Sequence, residues 1–152
     1  MTGDGASGEW PVGASDDAPE VVYPLGAEHG VVAEGQIRSY RDLRVWQEGM
    51  NLAEAVYAAT QSFPPDERFG LTSQLRRASV SVPSNIAEGW GRGATGEYKQ
   101  FLRYARASLR EIETQWLLAG RLGFLAPEAV ADLEQRADRL GRQLLSLMQA
   151  LR

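Results

Sequence analysis

The 152-residue chain contains no cysteine and a single histidine, His29. Without cysteine there is no disulfide framework, no thiolate nucleophile and no thiolate metal site. With its one histidine close to the N-terminus, the periodic part of the chain has no imidazole general base and no Ser-His-Asp constellation. It also lacks the Glu-x-x-His pairs that hold di-iron centres in helical bundles, so no metal or cofactor is expected. No apolar run approaches the roughly 18 to 20 residues that cross a bilayer as a helix. The N-terminus has neither the basic nor the apolar region of a signal peptide, which gives the expectation of a cytoplasmic protein without a membrane partner. Basic residues are missing altogether from Met1 to Gln36, where seven acids stand: Asp4, Glu9, Asp16, Asp17, Glu20, Glu28 and Glu34.

Those seven acids change the meaning of the net charge. The whole chain carries -4, yet Ile37 to Arg152 hold 13 acids against 16 bases. The first 36 residues are rich in Gly, Ala, Pro and Asp, and their apolar points (Trp10, Val21, Val22, Tyr23, Leu25, Val31 and Val32) have no helical spacing. Such a segment buries too little surface to offset its ordering entropy, so residues 1–36 are expected to be a disordered acidic tail. An acidic arm can screen a basic domain or recruit a partner. Residues 37–152 are long enough for one folded domain with a sizeable core.

Helical periodicity dominates that domain. After Asp42, a residue suited to an N-cap, Leu43, Trp46, Met50, Ala53, Tyr57 and Thr60 follow at steps of three and four. A second seam, Val45, Leu52, Val56, Ala59 and Phe63, lies about 100° round the same helix. Two seams mean either one wide core face or one face inside the subunit and one against a neighbour. Val45, Leu52, Val56, Ala59 and Phe63 are the candidate oligomer interface. Gly49 weakens the helix and marks a close backbone approach, and Pro64 with Pro65 ends it. A second helix is expected from near Asp66, carrying Leu71, Leu75, Ala78, Val82 and Ile86, and kinked at Pro83. The competing reading has the helix restart at Asn85, with Glu88 completing a capping box.

The spacing predicts a third helix from about Thr95 to Leu122, stopped by Gly123. Pro127 suits the first turn of a fourth, in which Val130, Leu133, Ala137, Leu140, Leu144, Leu147 and Leu151 keep a heptad repeat. Short connections between four amphipathic helices give an all-α, antiparallel up-down-up-down four-helix bundle.

Chemistry is sparse on this scaffold. The glycines from Gly89 to Gly96 join helix to helix and lack the Gly-Lys-Ser/Thr of a phosphate-binding loop, so they read as an interhelical turn. Glu111 and Glu113 are two apart and point to different sides of a helix. No enzymatic site or small-molecule substrate is evident. The sharper signal is a row of cations on helix three, Lys99, Arg103, Arg106 and Arg110, which fall within roughly 60° of one another and away from the apolar seam. Arg92 flanks the start of the row, Arg121 extends it, and Arg76 and Arg77 join it if the second helix is adjacent. This ridge can neutralise phosphates, or it can simply be a solvated or interface face. No aromatic platform or base-reading motif accompanies it, so any nucleic-acid binding would be weakly sequence-selective.

Several stretches resemble a known family: Asp42-Leu43-Arg44-Val45-Trp46-Gln47, Gly70-Leu71-Thr72-Ser73-Gln74-Leu75-Arg76-Arg77-Ala78, and above all Ser81-Val82-Pro83-Ser84-Asn85-Ile86-Ala87-Glu88-Gly89. Together with Phe101-Leu102, Ser108 to Gln115 and Gly120 to Gly123, they look like the four-helix-bundle family named after intervening sequences of 23S ribosomal RNA genes. That family includes the accessory variability protein of diversity-generating retroelements. The resemblance covers about Ser39 to Leu151. It implies a closed bundle and a homopentameric ring, and its retroelement member implies nucleic acid and a reverse transcriptase as partners. The resulting expectation is a non-enzymatic, ring-forming scaffold or adaptor for another macromolecule. The first alternative is a nucleic-acid accessory protein acting through Arg92, Lys99, Arg103, Arg106 and Arg110. The second is an enzyme with an unrecognised site.

Overall fold

A computed structural model describes residues 37–151; the expected acidic tail lies outside them. Four helices follow in order: α1 (Arg44–Thr60), α2 (Leu71–Gly91), α3 (Thr95–Arg121) and α4 (Pro127–Ala150). Asp42 caps a different element from the one expected. It closes a capping box with Ser39 around a 3-10 turn at Tyr40–Asp42, its carboxylate accepting from the backbone N–H groups of Arg38 and Ser39 at 2.8 and 2.9 Å. Leu43 then stands at the N-cap of α1 with no side-chain cap.

α2 also begins later than Asp66. The two prolines lead into a 3-10 turn, Pro65–Phe69, and Glu67 ends it by accepting from the Leu71 N–H at 2.9 Å. A carboxylate placed there satisfies an otherwise open donor and complements the positive end of the helix. α2 then runs unbroken through Pro83. Side chains just after the proline turn back onto the preceding turn: Ser84 Oγ donates to Val80 O and Asn85 Nδ2 to Ser81 O, both at 2.8 Å. Asn85 therefore reaches back into the preceding turn, and the restart reading is corrected to a continuous helix.

Helices α1 and α3 each touch α2 and α4, and the diagonal pairs make no contact. The register shows antiparallel neighbours. Gln74 meets Gln115 and Ser81 meets Ser108 across α2 and α3, while Gly120 faces Val130 and Gly141 faces Leu109 across α3 and α4. Gly123, at φ 77°, stops α3 as expected, and Pro127 opens α4. The shared core includes Tyr98, Leu102, Leu109, Ile112 and Trp116 of α3 and Leu133, Ala137, Leu140, Leu144 and Leu147 of α4. No strand occurs among the described residues.

Candidate interaction surfaces

The second seam of α1 faces the core, and the first is split between core and surface. Val45, Leu52, Val56 and Phe63 are buried within the single chain, at 0, 1, 1 and 7% exposure, and Ala59 is half-buried against the same core. A side chain already enclosed by its own subunit has no surface left for a neighbour, so these residues are corrected from candidate interface to core. The seam left facing outward contains Trp46, half-buried, with Met50 at 37% and Tyr57 at 44% exposure. Leu43, Ala53 and Thr60 of that seam turn inward.

Those outward residues line a groove of about 620 Å³ between α1 and α2. Tyr40, Trp46, Met50 and Tyr57 form one wall, and Val80, Pro83 and Ala87 the other. Tyr40 and Trp46 pack edge to face, with ring centroids 5.4 Å apart, which steadies that part of the wall. The two helices come close at Gly49, where an added Cβ would lie 3.4 Å from the Pro83 ring. Arg76 stacks over the Tyr57 ring at 4.7 Å and its Nε donates to Thr60 Oγ1 at 2.9 Å. Arg76 is thereby committed to α1 and does not join the basic ridge. The signal in the sequence was the chemistry of the seams. Trp, Met and Tyr, which tolerate a half-wet surface, sit on one, and aliphatic residues on the other.

The ridge itself runs along the outer side of α3. Arg103 and Arg110 are exposed, and Lys99 and Arg106 are half-buried. Arg103 donates to Gln100 Oε1 at 3.0 Å, and Arg110 pairs with Glu113 at 2.5 Å. Lys99, Arg103 and Arg106 have no ion-pair partner among the described residues. Arg92 pairs with Glu88 at 2.8 Å and lies over the Phe101 ring at 4.9 Å, so it flanks the ridge as an already engaged cation. Exposed pairs such as these contribute little to stability and leave the field of the row largely intact.

A profile described as 23S rRNA-intervening sequence protein matches residues 41–146. The chain belongs to this family. Its fold is similar to a crystal structure from Bacteroides thetaiotaomicron, described as a protein with unknown function from the S23 ribosomal protein family. That similarity has a TM-score of 0.62 at 18% identity and covers 69% of this chain and 98% of the other. At such identity it establishes the shared helical fold alone. Curated proteins give no match. No helix among the described residues is long and apolar enough to cross a membrane.

Proposed function

We propose that this protein is a non-enzymatic helical scaffold whose copies assemble into a ring and present their outer faces to another macromolecule. The observation that carries this reading is the apolar groove between α1 and α2. An exposed concave patch of aromatic, thioether and aliphatic side chains marks a protein interaction site.

A cyclic ring needs two different complementary patches on each copy. The second is apolar as well. Leu117, Leu118 and Leu122 stand 44, 45 and 53% exposed at the C-terminal end of α3. Phe69, 86% exposed, lies at the same end of the bundle, just before α2. Seating this apolar end in the groove of the next copy joins subunits head to tail. Light scattering and native mass spectrometry test the assembly. The wild type is expected to be a five-membered ring, and Met50→Glu or Leu118→Glu to give monomers of unchanged helicity. Each variant keeps one intact patch, so mixing the two is expected to produce a one-to-one heterodimer. A wild-type monomer at tens of micromolar would refute the ring.

The second reading, a nucleic-acid accessory role, is favoured by Lys99, Arg103 and Arg106 on α3, which have no ion-pair partner among the described residues. Affinity for mixed single-stranded RNA or DNA is then expected to fall steeply with salt, and Arg103→Gln with Arg106→Gln to reduce the salt slope by about 1 per cation removed. Absence of binding at low salt would eliminate it.

A further inference from the structure

The charge asymmetry of the chain and the position of the ridge belong together. Seven acids and no Lys or Arg precede Ile37. Lys99, Arg103 and Arg106 on α3 lack ion-pair partners among the described residues. Ile37 packs on the core, and the Tyr40–Asp42 turn that follows lies against both α1 and α2. α1 starts, α2 ends and α3 starts at one end of an antiparallel bundle, so the acidic segment joins the domain at the end where the ridge begins.

Length permits the contact with a wide margin. Lys99 to Arg110 extends about 16 Å along the helix axis, and 36 residues reach as far as about 120 Å when extended.

We infer that the acidic N-terminal segment docks on the basic ridge of its own chain and competes there with any polyanion. Being tethered, it acts at a high effective concentration without forming a strong site. Its carboxylates occupy the place that phosphates would take, and salt or a denser polyanion displaces it. The ridge is the one element shared with the nucleic-acid reading, and docking does not depend on nucleic acid being the competitor.

The cysteine-free sequence makes a direct measurement clean. Spin labels are attached at Ala14→Cys and Ala107→Cys in the full chain, diluted with unlabelled chain so that only the intrachain distance is read. At low salt a short, narrow distance distribution is expected. It should move to longer distances in about 1 M salt, where the screening length falls to about 3 Å, and equally in Arg103→Gln with Arg106→Gln. A distribution unchanged by both treatments would overturn the inference. In parallel, full chain with the seven acids changed to Asn or Gln is expected to bind a single-stranded oligonucleotide at least about tenfold more tightly than wild type at low salt. Equal affinity of the two chains would count against competition at the ridge. If neither chain binds while the salt-dependent distance persists, the nucleic-acid reading falls and docking stands.

Discussion

Trp116→Ala is expected to destabilise the bundle by about 3 to 5 kcal/mol, measured as the shift in urea unfolding followed by far-ultraviolet circular dichroism. Trp116 is among the largest fully buried side chains and sits where α3 faces the shared core, so its removal opens a cavity that neighbouring helices close only in part. Domains of this kind have about 5 to 15 kcal/mol in all, so the loss is a large share of the total. Trp116→Phe separates packing from polarity. The indole Nε1 is buried without a hydrogen-bond partner among the described residues, and phenylalanine removes that open donor together with part of the volume. Its cost should therefore be well under half that of alanine. Equal losses for the two variants would show that the indole shape itself is what the core requires.

Two glycines are expected to respond with opposite sign. Gly89→Ala would bring a Cβ to 2.6 Å from Phe101 Cβ and 3.0 Å from Tyr98 Cδ2. Phe101 Cβ is bonded directly to its backbone, so relief requires α2 and α3 to separate. The predicted destabilisation is about 1 to 3 kcal/mol. At Gly49 the added methyl meets Pro83 at 3.4 to 3.5 Å, an ordinary contact. Relief from the poor helix propensity of glycine then dominates, and Gly49→Ala should stabilise by up to about 1 kcal/mol. Urea midpoints of both variants decide the matter. A stable Gly89→Ala would mean that the two helices have room to part.

How much of this was legible in the residues depended on whether local chemistry or neighbours decided the outcome. The limits of α3 and α4 were readable because Gly123 and Pro127 act through their own backbone geometry. The basic ridge was readable because spacing alone sets its face. The start of α2 was not, since Asp66 and Glu67 both suit a helix beginning and only the path after Pro64 and Pro65 selected Glu67. The continuity of α2 across Pro83 was not readable either, because Asn85 could serve a forward capping box as well as the backward bond to Ser81 that it makes. Periodicity gives the angle between the two apolar stripes of α1 and is silent on where α2 and α4 lie, so the candidate interface stripe turned out to be core while the other stripe is split between core and surface. Both stripes were recognised, and the groove formed by the exposed one needed the second helix to exist.

The proline in the middle of α2 has one more consequence. Its ring lines the groove and faces the bare backbone of Gly49 across a gap that fits a methyl group, so this depression lies where two helical backbones come close. A proline ring and a helical backbone have little freedom to reshape. A guest would find its mould already cast, lose little to adjustment of the host, and be chosen by contour before charge.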